Sequence, residues 1–151
     1  MAEVTIRQAQ PHDAGDIYEI ERLCFPDPWS PDSIEFELER NPRAFYVVAE
    51  REGMVVGYAG LWWIEDEGHI TNVAVMPGFR NRKIALAIIE ALLEHTAEAG
   101  IRHYTLEVRR SNEAAIGLYE KFGFRVEGVR NNYYKFEKED ALIMWMHIEN
   151  E

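Results

Sequence analysis

Three basic residues at one predicted strand-to-helix junction are the first candidates for chemistry in this sequence. Arg80, Arg82 and Lys83 follow an apolar run that ends at Pro77, and an apolar helical pattern begins directly after them. A helix N-terminus offers free backbone N–H groups and the positive end of the helix dipole, so it readily binds an anion. The cluster also opposes the net charge of the chain, which is -11. A solvated loop could carry the same charges, but their place at the junction favours a phosphate-binding turn.

Other kinds of reactive site have less support. The G-x-G-x-x-G and G-x-x-x-x-G-K-S/T patterns do not occur, so a phosphate would be held by a different architecture. No G-x-S-x-G nucleophile elbow indicates a hydrolase. Cys24 is the only cysteine and occupies an apolar helical position, which is typical of a small buried side chain. The histidines lack metal-ligand spacing, so we expect no metal site; they are His12, His69, His95, His103 and His147.

Length and charge narrow the class of protein. A chain of 151 residues without repeats or a biased linker predicts one domain over residues 1–151. The 27 acidic residues outnumber the 16 basic ones, which argues against nucleic acid or an anionic membrane as partner and suits an amine or basic peptide. With a single cysteine, no secretory signal pattern and no long apolar run, we expect a cytoplasmic protein, as a monomer or weak dimer.

The elements that must position the basic turn alternate in type along the chain. Strand patterns cover residues 4–9, 44–50, 54–64, 70–76, 103–108, 124–129 and 141–148. Helices are predicted after Asp13, with Ile17, Ile20, Leu23 and Cys24 as its apolar positions, after Ser30, after Lys83, and after Ser111 or Asn112. The third helix is the clearest, since Ala85, Ile88, Ile89, Leu92 and Leu93 share one face. The order β α α β β β α β α β β predicts a mixed α/β domain with helices on both faces of one sheet.

Residues 73–85 resemble the acyl-coenzyme A signature of the GCN5-related N-acetyltransferase (GNAT) superfamily. The core pattern of that signature, Arg/Gln-x-x-Gly-x-Gly/Ala, reads RNRKIA from Arg80 to Ala85 in this chain. An ordered set of further stretches is similar to the RimI-type ribosomal-protein-alanine N-acetyltransferases. These are CFPDPWS from Cys24, YAGLW from Tyr58, HITN from His69, LEVR from Leu106 with Ser111 and Asn112, Leu118-Tyr119, Gly123-Phe124, Tyr133-Tyr134 and EDALIMW from Glu139.

The resemblance implies both a fold and an activity. The fold is α/β (α+β), with a mixed, mostly antiparallel central sheet of about seven strands flanked by about four helices. The activity is direct transfer of an acetyl group from acetyl-CoA to the α-amino group of an N-terminal alanine on a small-subunit ribosomal protein. Two alternatives stay open: a different acceptor, such as another protein N-terminus, a lysine or a small amine, or a coenzyme-binding or interaction module without turnover.

The resemblance also implies two catalytic residues. Glu107 occupies the position of the family's general base, and Tyr119 that of its general acid. Without the resemblance, Glu107 could simply face solvent from its strand, and Tyr119 could simply pack in the apolar stripe of its helix.

The remaining implied residues bind the coenzyme or the acceptor. The amides of the signature loop, Arg80, Asn81, Arg82, Lys83, Ile84 and Ala85, would hold the pyrophosphate, and the backbone of Val73, Ala74 and Val75 would pair with the pantetheine. Asn112 would contact the pantetheine, although it could equally cap a helix. Trp29, Tyr133 and Tyr134 would lie on the acceptor side. Lys83 replaces a signature glycine, and we expect it to weaken coenzyme binding without abolishing it, because its position favours a backbone angle that glycine adopts cheaply.

Overall fold

The computed structural model describes residues 4–80, 83–134 and 139–148, except for the side chains of residues 132 and 134. This part of the chain contains seven strands and four α-helices in the predicted order. They are β1 (Thr5–Gln8), α1 (Ala14–Cys24), α2 (Pro31–Glu39), β2 (Ala44–Arg51), β3 (Met54–Ile64), β4 (Glu67–Val75), α3 (Ile84–Glu98), β5 (His103–Arg109), α4 (Glu113–Glu120), β6 (Arg125–Tyr134) and β7 (Glu139–His147). Short 3₁₀ turns at Pro11–Asp13 and Pro77–Phe79 precede α1 and follow β4.

All seven strands form one sheet in the order β1-β2-β3-β4-β5-β7-β6. Every neighbouring pair is antiparallel except β4 and β5, which are parallel. The parallel pairing is short and joins residues 67–69 of β4 to residues 103–105 of β5. The predicted mixed, mostly antiparallel sheet is therefore confirmed.

Helices cover both faces of this sheet, as predicted. The apolar stripe of α3 is fully buried at Ile88, Ile89 and Leu92, where it packs with one face of the sheet. On the other face, α1 and α2 contribute a second cluster that includes Ile20 and Ile34. The wide apolar stripe that the sequence shows after Lys83 is therefore what holds α3 against the strands.

The start of α1 differs from the prediction. Asp13 precedes the helix, but its side chain makes no capping hydrogen bond. Its buried carboxylate instead accepts two hydrogen bonds of 2.9 Å from the guanidinium of Arg7 and one of 2.7 Å from the amide of Gln10. A buried charge needs an ion-pair partner more than a helix needs one cap, so the capping prediction for Asp13 is wrong.

The predicted inward face of α1 is also wrong at one position. Leu23 is 46% exposed, while Glu21 is buried with only 1% exposure. Positions 17, 20, 21 and 24 continue the i, i+3, i+4, i+7 spacing, so an acid occupies the place that Leu23 was expected to take. The start of α2 agrees with its prediction, since the hydroxyl of Ser30 accepts a hydrogen bond of 3.1 Å from the amide of Ser33. Within the described ranges, no helix is long and apolar enough to cross a membrane.

Candidate active site

The candidate site lies where β4 and β5 separate. Beyond the pair His69–Thr105, β4 continues to pair only with β3, and β5 only with β7, among the described residues. The register between β3 and β4 shifts at Gly60, which leaves Thr71 as an extra residue on β4. Such a bulge bends its strand and increases the local twist, which is consistent with the separation of β4 from β5. The backbone of β4 on the side of β5 therefore faces open space from residue 70 onward.

A pocket of about 580 Å³ fills this opening. Its walls come from α1 and the loop after it, from the separated parts of β4 and β5, and from α4 and β6. The lining residues are Glu21, Phe25, Pro26, Asp27, Trp29, Ile70, Thr71, Asn72, Val73, Leu106, Glu107, Val108, Arg109, Asn112, Ala115, Tyr119 and Tyr133. Six of the residues predicted from the sequence are thus brought to one cavity: Trp29, Val73, Glu107, Asn112, Tyr119 and Tyr133.

Glu107 lines this pocket from β5. Its side chain is 17% exposed, and its Oε2 lies 2.6 Å from Nε2 of His69 on β4. The hydrogen bond from His69 lowers the pKa of the Glu107 carboxyl, against the opposing effect of burial, and Arg130 lowers it further. The carboxylate is therefore charged at neutral pH and only partly exposed. The alternative that Glu107 simply faces solvent does not agree with the structure.

Tyr119 and Asn112 belong to α4. Tyr119 is buried, lines the pocket and packs with its ring centroid 5.8 Å from that of Phe124. Tyr119 therefore both packs in the core and lines the pocket. Asn112 lines the pocket and caps α4 by accepting a hydrogen bond of 3.1 Å from the amide of Ala115. The capping role of Asn112 is thus confirmed, and its coenzyme role stays a prediction.

The backbone at Lys83 has the conformation that the family's glycine would favour. Lys83 is the N-cap of α3 with φ +60° and ψ +18°, which is the left-handed region, and its side chain makes no capping hydrogen bond. Ile84 and Ala85 form the first turn, where the amides have no partner within the helix. The substitution of glycine by lysine has therefore kept the shape of the turn and added a strained, exposed side chain. Asn81 and Arg82, which were predicted to bind the coenzyme, lie outside the described residues.

Arg80 and Cys24 meet at the end of β4. Nε of Arg80 donates to the carbonyl of Val75 at 3.3 Å, and Nη2 donates to the sulfur of Cys24 at 3.3 Å. The thiol of half-buried Cys24 donates to the same carbonyl. The side chains of Ala74 and Val75 are buried in the clusters on opposite faces of the sheet. Any ligand beside this part of β4 would therefore meet mainly its backbone, as the prediction for Val73, Ala74 and Val75 requires.

The sequence prediction missed Glu21 as a pocket residue. Its carboxylate accepts hydrogen bonds from the hydroxyl of Tyr58 and the side-chain amide of Asn72, and a longer one of 3.4 Å from the amide of Trp29. Burial raises the pKa of Glu21, although these hydrogen bonds oppose the shift. The only sequence signal was an acid on the apolar stripe of α1. Glu21 ties α1, β3, β4 and the loop with Trp29 together at one wall of the pocket.

Trp29 and Tyr133 are aromatic residues of the pocket lining. The rings of Trp29 and Trp62 have centroids 6.4 Å apart, and the indole N–H of Trp62 donates to Glu37. Tyr133 is 42% exposed, and the guanidinium of Arg130 lies 5.3 Å from its ring centroid. Tyr134 continues β6 opposite Glu139, and its side chain lies outside the description. Among the described residues, no three His, Cys, Asp or Glu side chains converge as metal ligands would.

Comparison with known proteins decides the family of this chain. Residues 14–124 match the model of the Acetyltransferase (GNAT) family, which is more than half of the sequence. The chain belongs to the GNAT family. The GNAT fold and resemblance predicted from the sequence are thereby confirmed.

Similar proteins place it among the N-acetyltransferases. A Bacillus subtilis (strain 168) protein with the provisional name ribosomal protein bS18-alanine N-acetyltransferase is 42% identical over 143 residues, which is 95% of each chain. The Escherichia coli (strain K12) ribosomal protein bS18-alanine N-acetyltransferase is 32% identical over 146 residues, or 95% of this chain and 97% of the other. The crystal structure of the ribosomal-protein-S18-alanine N-acetyltransferase from Escherichia coli superposes with a TM-score of 0.90 at 30% identity, covering 99% and 96% of the two chains. This GNAT chain is thus an N-acetyltransferase that resembles the RimI-type enzymes.

Proposed function

We propose that this enzyme transfers the acetyl group of acetyl-CoA to the α-amino group of an N-terminal alanine on a small-subunit ribosomal protein. The observation that carries the proposal is that Glu107 and Tyr119 line one pocket between β4 and β5. Relatives named for this activity, at 42% and 32% identity over almost the whole chain, support the choice of acceptor.

The described residues fit acetyl-CoA as the acetyl donor. The separated backbone of β4 from Val73 to Val75 would offer hydrogen-bonding groups to the amides of a pantetheine arm, apart from the carbonyl of Val75, which accepts from Arg80 and Cys24. The first turn of α3 presents the amides of Ile84 and Ala85 to a phosphate. Arg80, Asn81, Arg82 and Lys83 would complete the phosphate site, and Asn112 would contact the pantetheine from α4. Bound acetyl-CoA would supply the thioester from which the acetyl group is transferred.

Glu107 and Tyr119 then divide the proton transfers of the reaction. Glu107 accepts one proton from the ammonium group of the acceptor and releases it to solvent. The free amine nitrogen forms its bond to the thioester carbonyl carbon, and the carbon–sulfur bond breaks. Tyr119 gives its hydroxyl proton to the departing sulfur and regains a proton from the nitrogen through water. The products are the acetylated amine, the free thiol and one proton, so no covalent enzyme intermediate is needed.

The acceptor would enter between Trp29 and Tyr133. Both side chains line the outer part of the pocket, and Tyr134 follows directly on the same strand. A basic ribosomal protein tail suits an enzyme whose net charge is -11, because complementary charge favours encounter. The alternative of a module without turnover is opposed by the presence of both Glu107 and Tyr119 at the pocket.

The test is an acetylation assay with matched peptides. The protein is incubated with acetyl-CoA and a short basic peptide that begins with alanine, and the products are analysed by mass spectrometry. The control peptide has a blocked N-terminus and a free lysine. Modification of the first peptide alone supports the proposal, whereas modification of both indicates a broader amine acetyltransferase. If neither is modified although acetyl-CoA binds, the proposed acceptor is wrong.

A further inference from the structure

Among the described residues, His69 holds the proposed general base by a short hydrogen bond from a neighbouring strand. It lies two residues before the bulge at Thr71, in the last register pair that joins β4 to β5. Its Nε2 is 2.6 Å from Oε2 of Glu107, and its side chain is 40% exposed. The pocket lining includes Glu107 but not His69.

This geometry divides the two oxygens of Glu107. A hydrogen bond of 2.6 Å to a carboxylate is a short, charge-assisted one, and it fixes the orientation of the acceptor group. Because Oε2 is held by His69, we expect Oε1 to be the oxygen that meets an amine or a water in the pocket. General base catalysis depends on such placement within hydrogen-bonding reach of the proton.

Other charged groups also surround the pair. Arg130 on β6 also influences Glu107, but less than the hydrogen bond from His69 does. Arg109 on β5 and Glu67 on β4 share the face of the sheet with Glu107 and His69, by the alternation of each strand. The register partners on the outer sides, Trp62 on β3 and Ile143 on β7, are uncharged. Across the pocket, the acids Asp27 and Glu21 line the opposite wall.

We propose that His69 is the positioning residue of the catalytic base: its Nε2–H holds Oε2 of Glu107 and so orients the carboxylate toward the acceptor. The proposal rests on the proposed function, in which Glu107 is the base. It makes the reaction depend on a residue that is not part of the pocket lining.

The hydrogen bond also affects the proton affinity of Glu107. An N–H donor stabilises the ionised carboxylate, and the hydrogen bond from His69 is the largest cause of the lowered pKa of Glu107. Loss of the imidazole should therefore raise the pKa of Glu107 and also release its side chain from this orientation.

Two variants test the role of the N–H donor. His69→Gln keeps an N–H donor at this position, and His69→Ala removes it. At pH 8, we expect kcat on the alanine peptide to fall about tenfold in His69→Ala, with KM for acetyl-CoA unchanged, and to be largely restored in His69→Gln. The rescue by glutamine separates the hydrogen bond from the packing of the imidazole ring, which glutamine does not reproduce.

An equal loss of kcat in His69→Ala and His69→Gln would overturn the proposal, since the N–H donor would then not be what supports the rate. The coupling also has a readout that needs no acceptor: the side-chain carboxyl of Glu107 is titrated by ¹³C NMR in wild type and His69→Ala. We expect the pKa of Glu107 to be higher in the variant, and an unchanged pKa would also overturn the proposal. If wild type fails to acetylate the alanine peptide while this shift is present, the proposed acceptor is wrong and the His69–Glu107 coupling stands.

Discussion

Replacing Lys83 by glycine should make the protein more stable and its coenzyme site tighter. Lys83 holds φ +60° at the N-cap of α3, and its side chain makes no capping hydrogen bond there. The substitution removes the side chain that this backbone conformation disfavours. It also removes a positive charge from the positive end of the helix dipole.

The size of the stability gain can be worked out from these two features. The left-handed conformation destabilises a residue with a Cβ by about 1–2 kcal/mol, and glycine avoids this strain. Glycine also has more freedom in the unfolded chain, which offsets about 0.5–1 kcal/mol of the gain. The free energy of unfolding should therefore rise by about 0.5–1 kcal/mol. For a chain of this size that corresponds to a Tm increase of about 1–4 °C. For acetyl-CoA, we expect a Kd about threefold to tenfold lower, because the phosphate can approach the amides of the turn more closely.

Two matched variants isolate each contribution. Glu65 has φ +55° in the turn between β3 and β4, so Glu65→Gly relieves the same kind of strain away from α3. It should raise Tm similarly and leave acetyl-CoA affinity unchanged. Lys83→Asn removes the ammonium group and most of the aliphatic stem while keeping a residue that tolerates the left-handed region. Differential scanning calorimetry measures stability, and isothermal titration calorimetry measures acetyl-CoA binding.

The reasoning is refuted if Lys83→Gly lowers Tm while Glu65→Gly raises it, because the strain would then not be the controlling term. Weaker acetyl-CoA binding in both Lys83→Gly and Lys83→Asn would show that the ammonium group attracts the coenzyme more than the side chain obstructs it. If wild type shows no binding and Lys83→Gly binds, the proposed function is wrong for this chain.

Three further predictions concern the site and the core. Glu107→Gln and Tyr119→Phe should each lower kcat about 10²-fold or more with acetyl-CoA affinity nearly intact, and an unchanged rate would remove that residue from the mechanism. Arg7→Met should cost about 3 kcal/mol in urea unfolding at pH 7, because it leaves buried Asp13 without its partner. Burial raises the pKa of Asp13, but the hydrogen bonds from Arg7 and Gln10 outweigh it and lower the pKa, so this stabilisation exists above the ordinary aspartate range and is lost in acid; an equal loss at pH 7 and pH 2 would contradict the assignment. Gly60→Ala should lower the free energy of unfolding by about 1–3 kcal/mol, because a Cβ there would overlap the ring of Tyr46. Gly15→Ala, where a Cβ meets open space, should not destabilise the protein, and similar losses in both would show that the overlap is not the cause.

Strong local signals made most of the fold predictable. The apolar period after Lys83 placed α3, and Gly100, with φ +110°, follows its end as expected. The strand β3 has the predicted bounds Met54–Ile64, because its Val, Tyr and Trp content and the Glu52-Gly53 turn agree with its pairing. These are segments in which local preference and tertiary packing favour the same structure.

Cross-strand pairing explains where the strand boundaries were missed. β4 begins at Glu67 rather than at residue 70, because Glu67 pairs with Ile64 in a tight hairpin with β3. β6 extends to Tyr134 rather than ending at residue 129, because it continues beside β7. Charged and amide side chains do not signal a strand in a sequence window, but they are tolerated where a neighbouring strand satisfies the backbone.

The parts of the site that were missed depend on contacts between distant residues. Glu21 can be buried at the pocket because Tyr58 and Asn72, which are distant in the sequence, donate hydrogen bonds to its carboxylate. His69 and Glu107 are 38 residues apart, and neither strand pattern alone indicates that their side chains meet. Motif resemblance located the catalytic candidates, whereas their orientation and charge required the tertiary structure.

The two halves of the sheet are connected by the short pairing between β4 and β5. In the described part of the chain, three register pairs join the β1–β4 half to the β5–β7 half. A coenzyme arm bound in the opening would contact both halves, so the proposed substrate would also stabilise the folded chain. At a ligand concentration of 100 times Kd, binding to the folded state would raise the free energy of unfolding by about 2.7 kcal/mol. The persistence of this enzyme against unfolding and proteolysis would then follow the acetyl-CoA supply of the cell.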